Sequence, residues 1–226
     1  ESYHAGAMAS GWTLAGVRQS GRDPAEMELA KAAVKIWETL DLHLDAMTGY
    51  RQSGNLRLAR TEDETEVIRN LVHFQAANGL PIELLDTQQA QKIAPALSNE
   101  ILLASWCPTD GHADPLRSVE GFKKAAERLG EPFQTNTTVT GLDTYMANGS
   151  RRFSAIESAK GSVVAGNAML ATGVQTNLLL GGLGVNIPMT TPLVSAFQTV
   201  PLTNLLGPVI GVANGDLAVR QQIDGR

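Results

Sequence analysis

The stretch "DGHADPLRSVEGFKKAAERLG", residues 110–130, reads as a turn, a helix start, an amphipathic helix and a glycine stop. Asp114 is placed to cap the first backbone N–H groups, and Pro115 suits the first helical position. Val119, Phe122, Ala126 and Leu129 recur at helical spacing and predict a buried stripe, which Gly130 ends. The same opening sets Asp110, His112 and Asp114 close together, as a metal site or an acid–base pair would. No third strong ligand stands nearby, and His4, His43 and His73 lie far off in sequence, so no metal is expected. Capping accounts for Asp114 without catalysis.

Upstream of that helix the chain is helical. A first helix is predicted over Pro24 to Leu40, capped by Asp23 with Glu26 in a capping-box position, and Met27, Ala30, Val34 and Trp37 on its inner face. A second begins after Thr61, carries Val67, Leu71 and Phe74 inward, and stops at "NGLP", residues 78–81. A short third runs from Thr87 to Ile93. Downstream the pattern turns to strands: "FQTNTTVTGLDTYM", "RRFSAIESAKGSVVAG" with a hairpin turn at Lys160-Gly161, and "NAMLATG" as a buried strand. "IPMTTPLVSAFQTVPL" (187–202) and "GVANGDLAVRQQIDGR" (211–226) read as long alternating strands. The sum is a mixed α/β fold whose later strands form a more antiparallel layer.

The 226 residues suffice for one large or two small domains, and 43% hydrophobic with 18% charged residues fits a globular chain. A net charge of −5 with no basic face argues against a nucleic-acid partner. One cysteine, Cys107, makes no internal disulfide, which fits a reducing, cytoplasmic compartment, and a buried structural thiol is its expected state. Gly161 to Gly215 holds no charged residue, yet Gly, Asn, Gln, Thr and Pro interrupt it too often for a transmembrane span. No G-x-S-x-G elbow supports a serine nucleophile.

Four segments together resemble the FAD-dependent amine and D-amino-acid oxidases, the family of glycine oxidase, the sarcosine oxidase β chain and the opine oxidase B-subunit. "ASGWTLAGVRQSGRDPAE" (9–26) is similar to the family's Ala-Ser-Gly and Ala-Gly loop after its second strand. "GYRQSGNLRLA" (49–59) resembles its strand entering the substrate domain, "DGHADPLR" (110–117) its Asp-Gly-x-x-(Asp/Asn)-Pro, and "NAMLATGVQTN" (167–177) its Ala-Thr-Gly turn. The family's opening Gly-x-Gly-x-x-Gly fingerprint is absent, so the chain is expected to be an internal fragment of a longer flavoenzyme, inactive alone.

The resemblance implies a partial FAD-binding, Rossmann-like domain (1–45 and 105–185) interleaved with a mainly antiparallel substrate domain (46–104 and 186–226). It implies FAD as cofactor, held by Glu1 at the ribose, by Ala9, Ser10, Gly11, Leu14, Ala15 and Gly16, by Val139 near the adenine, and by Ala171, Thr172 and Gly173. It implies oxidation of the C–N bond of an amino acid or secondary amine by hydride transfer to flavin, with hetero-oligomeric subunits as possible partners. Arg18 and Arg220 are the candidates for the substrate carboxylate, because a guanidinium grips it with two bonds. No catalytic acid or base is singled out. Without the resemblance, residues 9–16 are an ordinary tight loop, Val139 one inward strand residue, Gly173 a turn, and both arginines surface residues. The rival function is a non-catalytic subunit or scaffold of the same fold that holds no flavin.

Overall fold

A computed structural model of the chain describes residues 3–226. It divides into two compact units. Met8–Glu131 and Ala196–Arg226 form the larger; Pro132–Ser195 and the N-terminal residues up to Ala7 form the smaller.

In the larger unit, strand β1 (Gly16–Val17) leads to a 3-10 turn at Pro24–Glu26 and helices α1 (Met27–Trp37) and α2 (Leu40–Leu44). Asp23 caps the turn by accepting from Ala25 N. Glu26 faces Arg22 at 3.6 Å, not the cap, so the expected single helix is a turn and two helices without a capping box. Strand β2 (Asn55–Ala59) and helix α3 (Glu62–Ala77) follow, then β3 (Glu83–Leu85), α4 (Thr87–Ile93), β4 (Leu103–Cys107), β5 (Gly111–His112) and α5 (Pro115–Arg128). Asp114 caps α5 by accepting from Arg117 N at 2.9 Å, as the opening stretch requires.

Two helices turn a different face inward than the periodicity predicts. α3 buries Glu64, Ile68, Val72 and Gln75; of the expected residues Leu71 packs against this core, while Val67 and Phe74 are left at 44% and 40% exposure. Polar anchors at both ends set this rotation. Glu64 meets Arg60 at the N-terminal end, and Gln75 meets Gly21 at the other. α5 buries Ser118 and Gly121, because at Gly121 the helix lies against Leu44 and Ala46, where a Cβ would stand 3.3 Å from each. Phe122 and Leu129 are consequently exposed.

In the smaller unit β6 (Val139–Ala147), β7 (Ser150–Ser158) and β8 (Gly161–Val164) form an antiparallel meander. Asn148 and Gly149, both at positive φ, make the first turn, and the second precedes Gly161. Helix α6 (Thr176–Leu180) follows. "NAMLATG" is not a strand. Residues 167–169 are exposed, and the segment pairs with no ladder among the described residues.

The chain ends with β9 (Val209–Val212) and β10 (Ala218–Val219), which join a five-stranded sheet in the order β10-β9-β2-β4-β3. Only the β2–β9 pair is parallel. The long strands expected over 187–202 and 211–226 reduce to these short ones. Pro188, Pro192 and Pro201 remove ladder donors from the first run, and a tight turn around Gly215 divides the second. Ala59, Ile68, Val72, Leu80 and Leu103 fill the core on one side of the sheet, and Leu56, Leu58, Leu85, Ala90 and Ile210 on the other.

Candidate functional site

Strand β5 lies at the centre of a small ladder. Gly16 pairs with His112 and Val17 with Gly111 on one side; on the other, Arg51 exchanges backbone bonds with His112 at 2.8 and 3.0 Å. Gly111 is required, since a Cβ there would stand 2.1 Å from the Arg51 carbonyl oxygen. Directly opposite residues of a ladder share a face. Val17 therefore packs with Ala113, Val34, Trp37 and Tyr50, while Gly16, His112 and Arg51 occupy the other face. Gly16 leaves a gap there; the nearest atom to its missing Cβ is Arg18 Cδ at 3.9 Å.

Arg220, just beyond β10, reaches this face and places Nη1 3.2 Å from His112 Nδ1. A guanidinium has donors only, so Nδ1 accepts and the neutral ring carries its proton on Nε2. Burial, then Arg220 and Arg51, push the imidazole down to about 4.

The other members of "DGHAD" have separate tasks. Asp110 is fully buried and holds the chain after β1, accepting from Gln19 N at 2.8 Å, Ser20 N at 3.3 Å and Ser20 Oγ. Burial raises its pKa, and these hydrogen bonds oppose that. Cys107 is buried, and desolvation lifts its thiol to about 12, so it is the inert core thiol expected. Asp110, His112 and Asp114 thus diverge to a loop, an arginine and a helix cap.

Beside the ladder runs a groove of about 690 Å³, lined by Ser10, Thr13, Ala15 and Val17, with Trp37 of α1 and Phe122 of α5 opposite. The loop leading to it turns back through Gly11 N and Trp12 N onto Met8 O. Ala15 sits at φ 52°, its N–H bonded to Thr13 Oγ1, and the N–H groups of Thr13 and Leu14 meet no acceptor among the described residues. Small side chains, unclaimed donors and an adjoining groove suit a phosphate-bearing cofactor.

The larger unit therefore brings Ala9, Ser10, Gly11, Leu14, Ala15 and Gly16 together along one loop, and puts Arg220 on the face that Gly16 leaves open. Arg18 lies on the same face at its stem, but its guanidinium turns to Ser20 O at 2.8 Å. Val139, at the start of β6, and Ala171, Thr172 and Gly173, before α6, belong to the smaller unit. Thr172 Oγ1 meets Thr176 Oγ1 at 3.0 Å, and Gly173 is at φ 55°. Glu1 lies outside the described residues. The sequence reading overlooked Arg51, Arg57 and Gln75. Arg57 did carry a signal, as one charge inside the apolar run "NLRLA".

Among the described residues no helix is long and apolar enough to cross a membrane. A D-amino acid dehydrogenase of Rhizobium johnstonii is 28% identical over 169 residues, 73% of this chain and 39% of that protein. D-amino acid dehydrogenase 2 of Mesorhizobium japonicum gives 28% over 171 residues, 74% of the chain and 40% of that protein. The chain thus spans about two-fifths of the length of these relatives. Among solved structures, L-proline dehydrogenase from P. horikoshii matches with a TM-score of 0.79 and 24% identity, over 93% of this chain and 56% of that one. Glycine oxidase from Geobacillus kaustophilus matches with a TM-score of 0.80 and 18% identity, over 97% and 60%. These two likenesses establish a shared fold. The model of the FAD dependent oxidoreductase family matches residues 1–226, and the chain belongs to that family.

Proposed function

We propose that this chain is part of an FAD-dependent oxidoreductase that oxidises the C–N bond of an amino acid or secondary amine. The observation that carries this reading is the β1–β5 ladder. It joins a loop of small residues with unclaimed N–H donors to a face where Gly16 leaves space beside a held arginine. In this reading Ala9, Ser10, Gly11, Leu14, Ala15 and Gly16 line the FAD path in the larger unit. Val139, Ala171, Thr172 and Gly173 serve it from the smaller unit, and Glu1 takes the ribose. Residues 1–45 and 105–185 then belong to the FAD-binding part, 46–104 and 186–226 to the substrate part.

Arg220 receives the substrate carboxylate through its forked donors, with Arg18 as a second candidate. His112, neutral, keeps Nε2–H as a further donor on that face. Bound FAD supplies the two-electron acceptor for the hydride that leaves the carbon beside nitrogen. The protein's share is to orient the C–H bond and hold the amine; no acid–base pair is needed. A reducing compartment, the cytoplasm, suits the single unpaired Cys107. Association with other subunits belongs to the same proposal.

The test is the visible spectrum of the full-length protein, followed by anaerobic addition of glycine, sarcosine, proline, D-amino acids and an opine. Flavin bands that bleach with one of these amines are expected. A colourless protein would favour the rival reading, a scaffold of the same fold.

A further inference from the structure

Gly21 sits at φ 64°, and two guanidinium groups converge on the space its side chain would fill. Arg57 Nη2 lies 2.5 Å and Arg18 Nη1 2.9 Å from the point a Cβ would occupy. Arg57 rises from β2, half-buried, and none of its five side-chain N–H groups finds a hydrogen-bond acceptor among the described residues. Arg18 spends Nη1 on the carbonyls of Ser20 and Gly21.

A third donor stands at the same place. Gln75 of α3 is 0% exposed, and its Oε1 accepts from Gly21 N at 3.1 Å. That bond fixes the amide's orientation, and leaves Nε2 buried with no partner among the described residues. An unsatisfied buried donor costs about 1–3 kcal/mol, and like charges packed together add to that.

The local carboxylates are already engaged. Asp110 attracts both arginines but forms an ion pair with neither, since Gln19 and Ser20 take its oxygens. Glu26 pairs with Arg22 at 3.6 Å. The result is a cluster of donors with an excess of positive charge, in which no carboxylate among the described residues forms an ion pair with Arg18 or Arg57.

We propose that Arg18, Arg57 and Gln75 form an anion site around Gly21 that binds a carboxylate. The site stands whether or not the chain holds flavin. Only the origin of the carboxylate, a substrate's acid group or a free acid, rests on the oxidoreductase reading.

The experiment uses the full-length protein in anion-poor buffer, titrated with acetate. Thermal unfolding and the side-chain amide resonances of Gln75 are followed. Saturable stabilisation with a shift of the Gln75 signal is expected. Arg57→Met should weaken acetate at least tenfold without lowering the acetate-free Tm, because repulsion with Arg18 is relieved. Gln75→Glu puts a carboxylate at Gly21, on which the two guanidiniums converge; it should raise Tm by about 2–4 °C and abolish the acetate response. Acetate without effect on the native protein, or an undiminished response in Arg57→Met, overturns the site. A lower Tm for Gln75→Glu, with Arg57→Lys binding acetate no better than Arg57→Met, overturns it also. In the full-length enzyme, Arg57→Met then separates the sources, both compatible with the site. A raised KM for an acidic amine, with its amide analogue unchanged, identifies the substrate's acid group. Unchanged KM values identify a free carboxylate.

Discussion

His112 accepts a hydrogen bond from Arg220 in a ring whose pKa is pushed down to about 4, so the imidazole stays neutral across the physiological range. Folding favours the neutral form, so its contribution is complete above the unfolded value near 6.5 and falls away as pH drops through about 4. Replacing Arg220 with Met removes one of the two cations facing this ring. His112 is then expected to titrate above about 4 by nitrogen NMR, while the full-length enzyme's KM for its amino-acid substrate rises with kcat little changed. An unchanged His112 titration would break the pairing; an unchanged KM would release Arg220 from the carboxylate. At the same scale, Gly111→Ala forces a methyl group onto the Arg51 carbonyl. It should lower stability by about 2–3 kcal/mol in urea unfolding. A loss below half of that would mean the ladder tolerates a wider spacing. Of these residues Arg220 was singled out from sequence, as a candidate for the substrate carboxylate, and its contact with His112 was not foreseen. The His112 contact spans 108 positions in the chain, and spacing alone cannot show such a pairing.

Among the elements, the buried end of α3 makes the clearest claim. Glu64 accepts from Arg60 N at 2.7 Å and from Arg60 Nη2 at 2.6 Å, and Asn214 Nδ2 donates to it at 3.1 Å. The Arg60 bonds, side chain first and then backbone, pull its carboxyl from 4.5 down to about 2. The folded carboxylate is favoured, so the stabilisation is complete above pH 4.5 and is lost as pH falls through about 2. Glu64→Gln should therefore lower Tm at pH 7, with the gap to the native chain closing near pH 2. A gap independent of pH would show that shape, not charge, holds this corner. The starts of α3 and α5 were legible because capping is local chemistry: Thr61 and Asp114 bond the N–H groups their positions imply. The inward faces of α3 and α5 were less so. Apolar spacing gives a stripe, but Gln75, Glu64 and Gly121 decide which side of that stripe touches the core.

Taken as a whole, the chain builds a mainly antiparallel five-stranded sheet, a ladder with an adjoining groove, and a separate meander. The mixed α/β class was readable from the change of period after Gly130. The strands expected over 187–202 and at "NAMLATG" were not there, since alternation states a preference and a strand also needs a partner ladder. The loop at 9–16 was singled out only through family resemblance, because small residues alone describe any turn; the structure adds its unclaimed N–H groups and the groove. Gly16 offers the most direct check that this loop cradles a flavin. In the chain its Cβ position is open, with only Arg18 Cδ at 3.9 Å, so a side chain there need not disturb folding. The measurement is the FAD-to-protein ratio, by absorbance, of the full-length protein carrying Gly16→Leu, alongside circular dichroism. A native-like spectrum with at least a tenfold loss of bound FAD is the expected result; full FAD occupancy in a folded Gly16→Leu protein would contradict the assignment.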